Sequence, residues 1–169
     1  MKYVFKEYDS SILQFFRQEK QILSSFSHVE HVGSTAVLGL VGKGILDIAV
    51  GVDNLAGAKE QFCSLGYEWR EHASTSERYF FRRHEGDQCI HLHVTIFDSK
   101  DWNEMLHFRD YLRAHPDKVA EYARIKKEAA LQANGDGEKY RTYKEDFIQK
   151  ILSSRFWWQH FLERCNTHF

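Results

Sequence analysis

Residues 29–52 read VEHVGSTAVLGLVGKGILDIAVGV, and this stretch decides the fold. A short apolar strand ends at Gly33-Ser34, a loop of small residues follows, and a second strand is predicted over residues 45–52. Glycine lets backbone N–H groups approach an anion closely, and a helix start adds the positive end of its dipole. Asp47 lies inside the second strand, where aspartate is rare and costly to bury unpaired. This order suits a phosphate bound beside a divalent cation.

Helical and strand patterns flank this stretch. Apolar residues recur at helical spacing over residues 10–26, with Asp9 or Ser10 as the cap. Asn54 is the predicted cap of a second helix, which Gly66 ends. Strand-like residues follow at 67–71 and 78–83. Two further strands are therefore expected in the sheet.

The clearest strand of the chain is predicted over residues 89–97, after a turn at 85–87. Its apolar residues share one face, and His91 and His93 share the other, because strand side chains alternate. After Ser99 the pattern is helical to the end of the sequence. Pro116, the single proline, fits the first position of a helix that runs to about residue 132, and a long last helix follows a break at 134–137. Trp157-Trp158 lies near the end of that helix and is interpreted either as a homodimer contact or as a cap on the helical core.

Several blocks of this sequence closely resemble the GrpB family. They are EHVGSTAV at 30–37, KGILDI at 43–48, HLHV at 91–94, FRDYLRAHP at 108–116, YARIK at 122–126 and YRTYKEDF at 140–147. GrpB proteins look like members of the nucleotidyltransferase superfamily, with a polymerase-beta-like fold whose signature is Gly-Ser followed by an Asp-x-Asp strand. Here Asp47 matches the first carboxylate, and Ala49 stands where the second is expected.

The pattern and the resemblance together predict an α/β (α+β) fold. A nucleotidyltransferase-like mixed sheet with flanking helices is expected over about residues 1–98, and a helical region over about 99–169. No linker rich in proline or serine separates the two parts, so a single domain is predicted over 1–169.

Asp47 is the principal candidate site residue. The resemblance implies that it binds Mg²⁺ or Mn²⁺, while the alternative is a strand aspartate paired with Lys43 or an arginine. Gly33 and Ser34 are expected to bind phosphate, with help from Thr35. A second carboxylate would come from elsewhere, and the candidates are Glu30, Glu77 and Glu85.

His91 and His93 are spaced to chelate a metal together with Asp47, and either could act as an acid or base near neutral pH. The alternative is a pair of solvated or hydrogen-bonded histidines on an exposed sheet face. His93 is the preferred catalytic partner of Asp47.

Basic residues from several elements are expected to bind phosphate or substrate. Arg78, Arg82 and Lys43 flank the predicted cleft. Arg109, Lys126 and Lys144 lie in the blocks that resemble GrpB proteins. The alternative for the helical cations is a solvated face with acidic partners one turn away.

Composition limits the function classes. The 169 residues are 43% hydrophobic and 28% charged with a formal net charge of −1, which gives no strong nucleic-acid signal. No apolar run is long enough to span a membrane and no leader opens the chain, so a cytoplasmic protein is expected. The three cysteines are widely spaced and are expected to be free thiols.

The leading hypothesis is a metal-dependent protein that binds a nucleotide or another phosphorylated small molecule and transfers a nucleotidyl group. The first alternative is a fold that has lost catalysis and acts as a binding or partner-stabilising module, as Ala49 suggests. The second is a metal hydrolase built on Asp47, His91 and His93. GrpB-like domains also occur fused to dephospho-coenzyme A kinases, which implies coenzyme A or nucleotide metabolism.

Overall fold

The structure is a computed structural model that describes residues 5–153, so the predictions made for Trp157, Trp158 and Cys165 lie outside it. Its centre is a five-stranded mixed sheet. In chain order the strands are β1 (His28–Val32), β2 (Leu46–Val52), β3 (Glu68–Trp69), β4 (Arg78–Glu85) and β5 (Gln88–Ile96). Their spatial order is β1-β2-β5-β4-β3. Only the β2–β5 pair is parallel within this sheet, and it brings two distant parts of the sequence side by side.

Five α-helices surround the sheet in the described part of the chain. They are α1 (Ile12–Ile22), α2 (Ala58–Ser64), α3 (Lys100–Ala114), α4 (Pro116–Ala133) and α5 (Gly137–Leu152). Proline begins α4 because its missing N–H is one that the first turn of a helix leaves unpaired anyway. Asp136 begins α5 by accepting hydrogen bonds from the N–H groups of Glu138 and Lys139. The mixed sheet with flanking helices and a helical rear region confirms the predicted fold class.

The two faces of the sheet have different roles. On one face the apolar residues of β2 and β5, such as Ile48 and Leu92, are fully buried with Phe62 of α2. Ala49, on the other face, packs with Val32 and Trp102. The same face carries Asp47, His91 and His93, so the functional candidates point toward the helical rear region.

The sequence pattern misplaced one helix start and one strand. The side chain of Asn54 accepts a hydrogen bond from the Ala56 N–H at 3.0 Å and thus closes a turn, while α2 begins after Gly57. The strand predicted at 67–71 is only Glu68–Trp69, because a short 3₁₀ helix follows at Glu71–Ala73. Within residues 5–153, no helix has both the length and the apolar character needed to cross a membrane.

Candidate functional site

A cleft of about 480 Å³ lies between the polar face of the sheet and the rear helices. Strands and loops supply Gly33, Ser34, Lys43, Asp47, Arg78, Phe80, His91 and His93. Helices α3 to α5 supply Phe108, Tyr122, Lys126, Tyr140, Arg141 and Lys144. The volume is that of a small-molecule site.

Asp47 and two histidines form the floor of this cleft. The parallel register places Asp47 beside His91 and Ala49 beside His93. Asp47 Oδ1 is 3.3 Å from His91 Nδ1 and 3.2 Å from His93 Nε2. Burial alone would raise the pKa of Asp47, but its hydrogen bonds with His91 and His93 outweigh burial and lower that pKa. Burial likewise acts against the charged form of His91, yet Asp47, together with Cys89, raises the pKa of His91 to about 9. The carboxylate is therefore ionised beside an imidazolium.

Gly33 packs directly against this carboxylate. Its φ is 69°, which favours glycine, and an added Cβ would be only 2.5 Å from Asp47 Oδ2. The Gly-Ser turn and the strand aspartate are thus a single packed unit. Ser34 follows at the start of a short 3₁₀ helix, Ser34–Ala36, on the wall of the cleft.

Gly42 brings Ser34 and Lys126 together. A Cβ added at Gly42 would be 2.8 Å from Ser34 Oγ and 2.9 Å from Lys126 Nζ, so both polar atoms approach the same point. Lys126 Nζ also donates a hydrogen bond to the Val41 carbonyl at 2.6 Å. Lys126 is only 3% exposed, which is rare for lysine.

Three lysines gather at the helical wall. The Nζ atoms of Lys43 and Lys144 lie 4.2 and 4.1 Å from the centre of the Tyr140 ring. Burial lowers the pKa of Lys126 to about 7, and repulsion from Lys144 and Lys43 adds to this effect. Burial and repulsion from Lys43 lower the pKa of Lys144 to about 8. An anion in the cleft would relieve this repulsion.

Most of the predicted site residues meet in the cleft. They are Gly33, Ser34, Lys43, Asp47, His91, His93, Lys126 and Lys144. Thr35 is instead buried in the loop before β2, where its hydroxyl contacts His31 Nε2 at 3.0 Å and donates to the Ile45 carbonyl at 2.9 Å. Its geometry is that of a loop-stabilising residue.

Two predicted arginine contacts lie outside the cleft lining. Arg82 forms an ion pair with Glu68 at 2.9 Å near the sheet edge. Arg109 is buried and forms ion pairs with Glu30 and Asp110, both at 2.7 Å. Arg109 also donates to the His31 carbonyl, so it joins α3 to β1.

The sequence places Arg78 beside the predicted cleft, but it does not single out Phe80, Tyr140 and Arg141 as site residues. Phe80 pairs with His93 across β4 and β5, and Arg78 follows two residues away on the same face. The turn at residues 85–87 would have given this register, because a hairpin turn fixes which residues face each other. Arg141 lies three residues before Lys144 on α5, a spacing that places two side chains on one helix face.

The residues on the floor fit Mg²⁺ poorly. Mg²⁺ takes oxygen ligands in octahedral geometry, whereas this floor offers one carboxylate and two imidazoles. Ala49, in the position of the second carboxylate, is fully buried against Trp102. Within residues 5–153 no group of three or more histidine, cysteine or acidic side chains is placed to hold a metal ion. Glu30, Glu77 and Glu85 do not line the cleft. The bound divalent ion stays a prediction.

The chain belongs to the GrpB family, because the family model described as "GrpB protein" matches residues 3–154. The Glutamate-rich protein GrpB of Alkalihalophilus pseudofirmus is 31% identical over 153 residues, which cover 83% of this chain and 88% of that protein. The fold is also similar to the crystal structure of the conserved protein GrpB from Enterococcus faecalis. That match has a TM-score of 0.76 and 30% identity and covers 88% of this chain and 94% of the other.

A further relative is named for an activity. A dephospho-CoA kinase of Mycolicibacterium paratuberculosis is 29% identical over 161 residues, which cover 77% of this chain but 39% of that protein. The chain also spans only about half the length of two other curated relatives, 47% and 53%.

Proposed function

We propose that the cleft binds the phosphate group of a phosphorylated small molecule, nucleotides included. The observation that carries this proposal is the excess of cations around the cleft. Its lining contains five lysine or arginine side chains and one carboxylate, Asp47: the cations are Lys43, Arg78, Lys126, Arg141 and Lys144. Because the whole chain has a formal net charge of −1, this is a local concentration of positive charge.

Lys126, Lys144 and Ser34 are the proposed phosphate contacts. Neither lysine has a carboxylate within ion-pair distance among residues 5–153. Ser34 Oγ and Lys126 Nζ approach one point beside Gly42, which is the arrangement needed to hold two oxygens of one phosphate. Tyr140, between Lys43 and Lys144, keeps both ammonium groups at the wall.

Binding is proposed ahead of catalysis. Gly33-Ser34 packed against Asp47 supports a relationship to nucleotidyltransferases, and the dephospho-CoA kinase relative supports a nucleotide-related ligand. The buried position of Ala49 under Trp102 leaves one strand carboxylate, so nucleotidyl transfer is the second candidate function. An enzyme would release pyrophosphate from a nucleoside triphosphate at a rate lost in Asp47→Asn.

The test is thermal unfolding and calorimetry with inorganic phosphate, pyrophosphate and nucleotides, each with and without Mn²⁺. A ligand at about a hundred times its Kd adds roughly 2.7 kcal/mol of stability, which is a measurable shift. Lys144→Gln should remove most of this effect. Lys150→Gln is the matched control, because Lys150 is an exposed lysine on the same helix. Equal phosphate affinity in wild type and Lys144→Gln would contradict the proposal.

A dependence on Mn²⁺ would support the predicted metal, and the same shift in the presence of a chelator would argue against it. Both outcomes leave the phosphate contacts testable, because Lys126 and Lys144 are not metal ligands.

A further inference from the structure

One ring nitrogen of His93 contacts Asp47, and the other has no partner in the part of the chain that the structure describes. Nε2 lies 3.2 Å from Asp47 Oδ1. An ionised carboxylate can only accept a hydrogen bond, so a ring proton belongs on Nε2, and an imidazole ring that carries this one proton has an acceptor at Nδ1. Nδ1 is buried and has no hydrogen-bond partner among residues 5–153. A buried acceptor of this kind is costly unless something donates to it.

Arg78 supplies a buried donor on the same face of the sheet. It stands opposite Thr95, two residues from His93 along β5, so Arg78 and His93 are diagonal neighbours within reach of a long side chain. Its Nη1 lies 3.6 Å from Asp101 Oδ2. Its Nε is buried and lacks a partner within the described residues. Both Arg78 and His93 line the cleft.

A hydroxyl group placed between these two atoms would satisfy both of them, because it can accept from Arg78 Nε–H and donate to His93 Nδ1. An ionised phosphate oxygen cannot donate, and an ammonium group cannot accept. The Phe80 ring lies beside His93, with 5.2 Å between the two ring centres, and offers an apolar surface to the C–H groups of a ligand. We propose that Arg78 and His93 bind a hydroxyl of the ligand, which is therefore a phosphorylated sugar or polyol. This inference rests on the proposed phosphate site at the lysine end of the same cleft.

Two probes of equal carbon chain length separate the two ends of the cleft. Ribitol 5-phosphate carries a phosphate and hydroxyls, and pentyl phosphate carries the phosphate alone. Calorimetry at pH 7 should give a Kd for ribitol 5-phosphate about tenfold below that for pentyl phosphate, the size expected when buried polar groups gain a partner.

The role of Arg78 is tested by Arg78→Met, which keeps an unbranched stem and removes Nε–H. Because Arg78 is also one of the cations of the cleft, the loss of its charge should weaken the binding of both probes. The tenfold preference, which is a ratio measured within one variant, should disappear. Asp101→Asn is the matched control, since it breaks the same ion pair but keeps Nε–H, and it should retain the preference.

The outcomes distinguish the two proposals. Equal affinities for both probes in the wild type would overturn the hydroxyl site and leave the phosphate site standing. Binding of neither probe would overturn both proposals. A preference that survives in Arg78→Met would overturn the assignment of Arg78.

Discussion

Gly33 touches Asp47 so closely that any side chain there must move the carboxylate. An added Cβ would be 2.5 Å from Asp47 Oδ2, and the φ of 69° already disfavours other residues. We expect Gly33→Ala to lower the free energy of unfolding by roughly 2–4 kcal/mol, the sum of backbone strain and overpacking. Urea unfolding measures this loss.

Gly39 is the matched control for Gly33. Its φ is 76°, but an added Cβ would meet nothing within 4 Å. Gly39→Ala should therefore cost only the backbone strain, about 1–2 kcal/mol. Equal losses of unfolding free energy in the two variants would show that the contact with Asp47 adds nothing to the loss in Gly33→Ala.

Asp47 and His91 should make stability depend on pH. The ordinary pKa of histidine is near 6.5, and Asp47, together with Cys89, raises that of folded His91 to about 9. A raised pKa contributes stability that is complete below pH 6.5 and is lost as the pH rises through 9, up to about 3 kcal/mol. The difference in unfolding free energy between wild type and Asp47→Asn should therefore shrink from pH 6.5 to 9.5. A difference that stays constant would contradict a charged pair.

Single residues of the site were predictable where local chemistry was unusual. An aspartate in a strand, a Gly-Ser turn and two alternating histidines are visible in the sequence alone, and all lie in the cleft. Thr35 is predicted to help Ser34 bind phosphate, yet its hydroxyl turns inward to the Ile45 carbonyl. The direction of a side chain in a loop depends on backbone torsions that sequence spacing does not give.

At the scale of elements, α3 is joined to the sheet through Arg109. This side chain is buried and pairs with Glu30 of β1, so its role is structural. Arg109→Met should lower the free energy of unfolding by roughly 2–3 kcal/mol, because it leaves Glu30 without its partner. The Kd for phosphate, measured on folded protein, should not change.

Glu30→Gln is the companion variant for Arg109→Met. It breaks the same ion pair from the exposed side, and the double variant completes a cycle that isolates the energy of the pair. If Arg109→Met weakens phosphate binding severalfold while Glu30→Gln does not, Arg109 contacts the ligand as the sequence comparison suggested.

The longer strands and the rear helices followed from periodicity and from Pro116, but the pairing of elements did not. The parallel contact of β2 with β5 places Asp47 beside His91 although 44 positions separate them, and no local pattern encodes that register. Arg82 and His91 do face each other, yet Glu68 of β3 draws the arginine toward the sheet edge. A strand as short as β3, with two residues, has too little pattern to define its ends, so the strand predicted over residues 67–71 is too long.

At the scale of the whole molecule, the cleft separates a sheet that supplies Asp47 from helices that supply lysines. Burial lowers the pKa values of Lys126, Lys144 and Lys43, and repulsion from neighbouring cations adds to this effect. The fold is therefore stabilised less than it would be with apolar residues there. Proteins tolerate such a cost where a ligand uses the charges. Replacing a lysine of this cluster with an apolar residue is therefore expected to raise the stability of the fold and to weaken anion binding.

Lys126→Met tests this opposition. The pKa of Lys126 is about 7 in the folded protein and 10.5 when unperturbed. The unfolded chain thus binds more protons between these values, so the cost of burying Lys126 is full below pH 7 and vanishes near pH 10.5. We expect Lys126→Met to be more stable than wild type by roughly 2–4 kcal/mol at pH 7, with the gain lost by pH 10.5. Its affinity for sulfate, whose charge is constant over this range, should fall at least tenfold, about 1.4 kcal/mol.

Lys127→Met is the control, because Lys127 is exposed on the same helix and should change neither stability nor sulfate affinity. Wild-type affinity for sulfate should itself weaken as the pH rises from 7 to 9, since Lys126 and Lys144 lose their protons there. If Lys126→Met is instead less stable than wild type at pH 7, the hydrogen bond to the Val41 carbonyl contributes more than the burial of the charge costs. Lys126 then has a structural role, which is to hold the loop before β2. If it is more stable and still binds sulfate, the anion is held by Lys43, Lys144 and Arg141 without it.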